Sequence, residues 1–136
     1  MKKLIILLIC LFATVAFADI TETLTFGWQQ ETLDYVTHWE LEMGISDTGP
    51  FMNIGSIPYD GTPQAEFQAP LETTVTGPGG TTQTRYFRMR TCGDIPQSDG
   101  TTQAECSTGY SNIVSHDFWI PAGEFQVPVQ FRIIAQ

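Results

Sequence analysis

Apolar and polar residues alternate in several short runs of this sequence, and this two-residue period is its strongest structural constraint. Successive side chains of a β-strand point to opposite faces of a sheet, so each run predicts a strand with one buried face. No eleven-residue window after residue 18 has the 3.6-residue period of an amphipathic helix. The chain is therefore predicted to be all-β, and the residues predicted to form its core are Leu24, Phe26, Trp28, Trp39, Leu41, Met43, Phe87 and Met89.

Turn-forming residues separate these runs. Segments such as 46–50 and 77–80 combine Gly and Pro with Ser, Asp or Thr, residue types that adopt or stabilise turn conformations. The strands predicted between the turns are residues 19–29, 38–46, 51–57, 67–75 (interrupted near Pro70), 85–92 and 110–115. Short strands joined by frequent turns, rich in Thr and aromatic residues, are typical of a β-sandwich.

The first eighteen residues have the features of an export signal. Lys2 and Lys3 precede an apolar run over residues 4–15, and small residues stand at Ala16 and Ala18, where a signal peptidase cleaves. The run is too short to span a bilayer, and Cys10 within it lacks the small preceding residue of a lipoprotein site. We therefore predict a secreted or periplasmic protein with no membrane span after cleavage.

The mature chain is strongly acidic. Removing residues 1–18 takes away two of the six basic residues and none of the fifteen acidic ones, which leaves 118 residues with a formal charge of −11 and no lysine. Because phosphate binding requires clustered Lys and Arg, nucleic acid is excluded as a partner. The length suits a single domain, predicted at residues 19–121.

Cys92 and Cys106 are the cysteines that remain, and in an exported protein they are predicted to form a disulfide. The thirteen residues between them show no periodicity and are interpreted as a polar loop. Closing a loop of this size stabilises the fold by about 3 kcal/mol in the chain-entropy model. Strand-connecting loops often bind ligands, and the candidate contacts here are Asp94, Gln97, Asp99, Gln103 and Glu105.

Catalytic and metal-binding patterns find little support. His38 and His116 have no Cys, Asp or Glu at ligand spacing, and two cysteines are too few for a structural zinc site. Three acidic residues of the 93–105 loop could hold calcium, but they do not match an EF-hand. We expect a non-enzymatic protein without cofactor or metal. Phe118 and Trp119, placed just past the last strand, are interpreted as core or inter-subunit residues rather than a sugar platform.

Four segments occur in an order typical of one family of β-sandwiches. They are Leu24-x-Phe26-x-Trp28, Trp39-x-Leu41-x-Met43, Tyr86–Arg90 and Gly109–Ser115. Together they resemble the second, third, sixth and seventh strands of a fibronectin type III domain, of the kind found in exported bacterial and phage proteins. The resemblance covers residues 20–121 and implies an immunoglobulin-like sandwich. It also implies a first strand. The predicted mature chain starts at residue 19, where the second strand of the family would begin, so we expect the first strand to be missing.

The end of the chain carries a strand pattern of its own. Phe125, Val127, Val129, Phe131 and Ile133 alternate with polar residues and with Pro128, which restricts such a strand to a sheet edge. We predict that residues 122–136 form a linker and a strand that takes the place of the missing first strand. The recipient is the next copy of the chain, its own domain or another protein, and an unpaired end is the remaining possibility.

These expectations define the function predicted from sequence. The protein is expected to be an exported structural or adhesion module that self-assembles head to tail through residues 124–134. The alternative is a monomeric module whose 93–105 loop contacts a glycan or a protein. A third possibility is an accessory domain of an exported enzyme complex.

Overall fold

The computed structural model describes residues 16–123, and within them the chain forms seven β-strands. The strands are β1 (Phe17–Trp28), β2 (Val36–Gly44), β3 (Phe51–Pro58), β4 (Phe67–Pro78), β5 (Thr81–Pro96), β6 (Thr102–Cys106) and β7 (Val114–Ile120). No helix in this range is long and apolar enough to cross a membrane. Residues 1–15 and the predicted tail strand at 124–134 lie outside the described residues. β1 begins two residues before the predicted mature start at Asp19.

The strands form two antiparallel sheets. β1 and β4 make a two-stranded sheet with Phe17 opposite Pro78 and Trp28 opposite Phe67. The second sheet has the order β3-β2-β5, and β6 and β7 share the remaining edge of β5. The all-β, immunoglobulin-like sandwich predicted from sequence is confirmed.

The core lies between the two sheets. Four of the predicted core residues are buried, which are Trp39, Leu41, Phe87 and Met89. The other four are only partly buried and pack against the core, which are Leu24, Phe26, Trp28 and Met43. Four further members of the buried cluster were absent from the predicted core, although Phe118 was interpreted as a core or inter-subunit residue; they are Phe67, Val75, Phe118 and Ile120. Burying an apolar side chain of this size stabilises a fold by about 1.5–3 kcal/mol.

β4 runs without the interruption predicted near Pro70. Pro70 lies opposite Thr25 in an unbroken register and faces outward. Since β4 pairs with one strand only among residues 16–123, a proline can stand where its missing N–H would point away from β1. The predicted break was therefore wrong.

The segment predicted as a strand at residues 110–115 is mostly a loop. The strand begins only at Val114 and continues to Ile120. Before it, Ser107 and Ser111 each bond β5 twice: their amides donate to Thr91 O and Met89 O, and their hydroxyls accept from the amides of the same two residues. These serine hydroxyls replace the carbonyls of a regular ladder, so the segment follows β5 without being a strand.

The aperiodic loop predicted at residues 93–105 is a β-hairpin. β5 continues to Pro96, β6 returns from Thr102, and the turn between them is closed by the Gln97 amide donating to Thr101 O. The disulfide joins Cys92 and Cys106, which face each other at the base of this hairpin. An apolar alternation was not needed here because pairing with β5 and the disulfide define β6.

Phe118 and Trp119 were predicted to lie just past the sandwich, and this was wrong. Both are in β7, paired with Gln83 and Thr82 of β5. Phe118 is fully buried on the inner face, whereas Trp119 is 56% exposed on the outer one.

Candidate functional site

The two sheets differ in width, and the difference leaves one side of the sandwich open. At the level of Phe87, the strands β3, β2, β5 and β7 lie side by side, through the paired residues Met52, Met43, Phe87 and Val114. With strands about 4.8 Å apart, this row is about 14 Å wide, whereas β1 and β4 span a single strand spacing. Two strands therefore cover four, and the start of β7, at Val114, is left exposed.

Burial along the small sheet locates the opening on the β1 side. On the inner face of β4, Phe67, Thr73 and Val75 are buried. Every residue of the inner face of β1 is only partly buried, although this face includes Phe26 and Trp28. The outer edge of β1 has no paired strand among residues 16–123. Among these residues β1 therefore has no strand beside its outer edge, and the larger sheet covers its inner face only in part.

An apolar groove occupies the opening between β1 and the segment leading into β7. It encloses about 360 Å³, and its lining includes Phe26, Trp28, Leu41, Phe87, Met89 and Val114. Val114 is 48% exposed. The side chains of the floor belong to the buried core, and the accessible lining is formed by the partly buried Phe26 and Trp28 and by Val114. We call this surface the edge groove.

A contact between a glutamate and a histidine closes one end of the edge groove. Glu22 projects from the inner face of β1 and His116 from that of β7, and Glu22 Oε2 lies 3.0 Å from His116 Nε2. The His116 ring also packs edge-on against Phe118. Beyond this pair the two sheets approach each other, with Phe118 and Ile120 buried. The open part of the groove thus runs from Glu22 towards Trp28.

Two buried polar groups near this sheet have no hydrogen-bond partner among the described residues. They are the indole N–H of Trp28 and the hydroxyl of Thr73. An unsatisfied buried donor costs about 1–3 kcal/mol, and such groups call for a specific explanation. Trp28 is also one of the residues that line the edge groove.

The chain enters and leaves the described region at the same end of the sandwich. The Gly79 amide donates to Ala16 O just before β1, and the Gly80 amide donates to Ile120 O at the end of β7. Residues Pro121 to Gly123 pass beside Gly79, so close that a Cβ at this position would meet their backbone. We call this end the near pole, and the end at Trp28 the far pole.

The predicted binding residues lie along the disulfide hairpin. Asp94 is in β5, Gln103 and Glu105 are in β6, and Gln97 and Asp99 are in the turn. The Thr101 hydroxyl and amide donate to Asp99 Oδ1, which lowers the pKa of that carboxyl. The hairpin is thus an ordered, exposed surface rather than a flexible loop.

Charged and aromatic side chains cover the outer face of the larger sheet. Arg88 bonds Glu42 at 2.7 Å, and its guanidinium lies over the rings of Tyr110 and Phe51, at 3.6 and 4.1 Å. Arg90 bonds Glu40 at 2.6 Å, and this hydrogen bond raises the pKa of Arg90. Both arginines that the structure describes on this face are thereby paired with carboxylates.

Strand pairing also brings together residues that the sequence did not connect. His38, Glu40, Cys92 and Cys106 form the one group of potential metal ligands among the described residues. Asp94, Asp99 and Glu105, which the sequence suggested for calcium, do not converge in this way. Positions 38, 92 and 106 are far apart along the chain, and only the pairing of three strands places them in one row.

The chain was compared with protein-family models, with curated proteins and with solved structures, and none of the three comparisons gives a match.

Proposed function

We propose that this chain is an exported, non-enzymatic sandwich module with a structural or adhesive role, and that its copies associate head to tail. In this assembly, residues 124–134 of one copy lie in the edge groove of the next and pair with β1. The observation that carries the proposal is the open side of the sandwich, where the most aromatic strand face of the small sheet is only partly buried.

The strand order supports the resemblance to fibronectin type III domains. In that family the second strand pairs with the fifth in one sheet, and the third, sixth and seventh strands lie in the other. β1 with β4, and β2 with β5 and β7, follow the same order. The place of the family's first strand corresponds to the outer edge of β1, beside the edge groove.

The tail sequence suits that place. Its five alternating apolar residues would face the groove, while Gln126, Pro128, Gln130 and Arg132 would face solvent. Main-chain hydrogen bonds to β1 would supply affinity, and the apolar side chains would fill the groove, as in other complexes formed by strand addition. Pro128 is compatible because the added strand is itself an edge.

Strand direction favours a second copy as the recipient. β1 runs from the near pole to the far pole, so an antiparallel partner must enter at the far pole. The chain leaves at the near pole after Gly123. Residues 124–134 span about 36–40 Å when extended, about the length of β1, so they cannot reach the far pole and then pair antiparallel. Residues 116–120 belong to β7, so they do not carry the chain back to the far pole.

The test is the solution mass of the mature protein, measured by light scattering over a wide concentration range. We expect a ladder of oligomers for the wild type and monomers for Phe131→Asp, which places a charge on the groove-facing side. The matched control is Gln130→Asp, one residue away on the other face, which should still assemble. A wild-type protein that stays monomeric at all concentrations overturns the proposal.

Two further measurements separate the alternatives. If the tail folds back onto its own domain, the wild type is monomeric and Phe131→Asp lowers its melting temperature without changing its mass. If the disulfide hairpin is instead the binding surface, replacing residues 94–104 with a Gly/Ser linker abolishes ligand binding while Phe131→Asp has no effect on it.

A further inference from the structure

The row formed by His38, Cys92 and Cys106 lies on the outer face of the larger sheet, away from the edge groove. His38 of β2 is opposite Cys92 of β5, which is opposite Cys106 of β6. Glu40 follows two residues later on the same face of β2. One potential ligand atom from each of the four side chains lies within 4.8 Å of the other three.

These side chains line a cavity. It encloses about 200 Å³, and Asp94 and Glu105 also line it. Cys92 is only 2% exposed, and the other three potential ligands are half-buried. A site of this kind is shielded by the sheet on one side and reachable by a small ion on the other.

The His38 ring is oriented by its neighbour. The Thr37 hydroxyl lies 2.9 Å from His38 Nδ1 and 3.4 Å from Cys92 O. A carbonyl can only accept, so in the tautomer that is protonated at Nδ1 the hydroxyl donates to Cys92 O and accepts from Nδ1–H. In a neutral imidazole this leaves the lone pair on Nε2. Metal-binding histidines characteristically donate their other ring N–H to a fixed acceptor in this way.

The Glu40 carboxylate is similarly held. Arg90 Nε and Nη2 both contact its Oε2, at 2.7 and 2.6 Å. Its Oε1 makes no hydrogen bond to a residue that the structure describes. One oxygen is thus fixed by the guanidinium, and the other is available.

We propose that reduction of the Cys92–Cys106 disulfide converts this row into a Zn²⁺ site. A thiol reductant supplies two electrons and two protons, becoming a disulfide itself, and the Cys92–Cys106 bond opens to two thiols. Zn²⁺ then displaces both thiol protons to solvent. The ion is bound by the two thiolates, the His38 imidazole and the Glu40 carboxylate.

This ligand set fits zinc in type and number. Structural zinc sites are tetrahedral and use thiolate, imidazole and carboxylate ligands at about 2.0–2.3 Å, which places the ligand atoms about 3.5 Å apart. The two sulfurs have to move apart to about this distance once the disulfide opens, whereas the ligand atoms of His38 and Glu40, which now lie within 4.8 Å of them, need to approach by about 1 Å. Three negative ligand charges against the dication leave one excess charge, which the neighbouring Arg90 offsets.

The disulfide and the metal site are alternative states of the same residues. In the oxidised protein neither sulfur is a thiolate, so the site exists only after reduction. The proposal concerns the outer face of the sheet and does not depend on assembly through the edge groove.

The test uses the full-length mature protein, reduced with a phosphine and freed of reductant. Titration with Co²⁺, a spectroscopic substitute for Zn²⁺, should give one ion per chain with a thiolate-to-metal charge-transfer band and tetrahedral visible bands. Zn²⁺ should displace it. The oxidised protein should show neither signal.

Two variants decide whether the proposed residues bind the ion. His38→Ala should weaken Co²⁺ binding at least about tenfold, and His116→Ala, which alters the other histidine of the chain, should leave it unchanged. If the reduced protein unfolds without metal, Zn²⁺ should restore its circular dichroism in the wild type but not in His38→Ala. A reduced protein that binds no Co²⁺, or binds it equally well without His38, overturns the proposal.

Discussion

β1 and β4 are partners in one small sheet, yet their inner faces differ in burial. The inner face of β1 is the more aromatic, with Phe26 and Trp28, but no residue on it is fully buried. β4 presents Phe67, Thr73 and Val75, and all three are buried. Of the two strands, the one with the more aromatic inner face is thus the less buried.

The contrast arises from the neighbours of each strand. β4 lies on the side of β3, where Leu71 packs close to Gly55. β1 lies on the side of β7, where the edge groove separates it from Val114. An apolar face that remains accessible is a feature of a surface that binds a partner. Glu22, which points inward from β1, is the kind of charge that protects a free edge from indiscriminate pairing.

The largest expected effect compares two phenylalanines of this sheet. Phe67→Ala in β4 should lower the free energy of unfolding by about 3–5 kcal/mol, because it leaves a cavity in the enclosed core. Phe26→Ala in β1 should cost only about 1–2 kcal/mol in the monomer, since its side chain is partly solvated. Urea denaturation at concentrations where the protein is monomeric measures both. Equal costs would contradict the difference in burial.

Hydrogen exchange tests whether the outer edge of β1 becomes paired on assembly. Alternate amides of β1 point away from β4, and pairing with a donated strand should slow their exchange at least about tenfold. The outward amides of β4 should exchange at unchanged rates and serve as the internal control. Slower exchange of the outward amides of β4 instead would show that the partner strand pairs with β4, which would contradict pairing with β1.

Glu22→Leu should strengthen self-association by about fivefold, equivalent to about 1 kcal/mol, because it extends the apolar lining of β1. Glu72→Leu adds the same side chain to the exposed face of β4 and is the matched control. Sedimentation equilibrium of both variants gives the association constants. A larger effect from Glu72→Leu would show that non-specific hydrophobic contacts, rather than the edge groove, drive association.

The smallest expected effect concerns Thr73, which lies opposite Glu22. Its hydroxyl is buried without a partner among the described residues. Thr73→Val keeps the shape and removes the unsatisfied group, so stability should rise by about 0.5–1 kcal/mol. Thermal unfolding compared with Thr74→Val, on the exposed face, measures the gain. A loss of stability would show that the hydroxyl is satisfied.

Local alternation predicted the strands whose inner faces are apolar, and it missed those defined by pairing. β1, β2 and the middle of β5 were found because Leu24, Trp39, Phe87 and similar residues recur every second position, whereas β3 was predicted from the turns on either side of it. β6 has no apolar alternation and exists through its bonds to β5, so nothing local could reveal it. The start of β7 was misplaced because Ser111 follows β5 through side-chain bonds.

The sites were predictable to different degrees. The absent first strand suggested an open edge, but the lining of the edge groove required the order of the sheets. The contact between Glu22 and His116 crosses from one sheet to the other over most of the chain length. The meeting of His38 with Cys92 required the register of β2 against β5, including the bulge beside Val36. Neither of these two contacts can be recognised from the spacing of the residues along the sequence.

The pairing of β7 with β5 has a mechanical consequence for a fibre assembled in this way. The donated strand would enter each module at the far pole, and the module's own chain leaves at the near pole after β7. Tension along the fibre would therefore pull β7 lengthwise past β5. Seven residue pairs join these strands, with hydrogen bonds perpendicular to the pull. They would be loaded in shear and break together rather than unzip singly, which makes each module resistant to force.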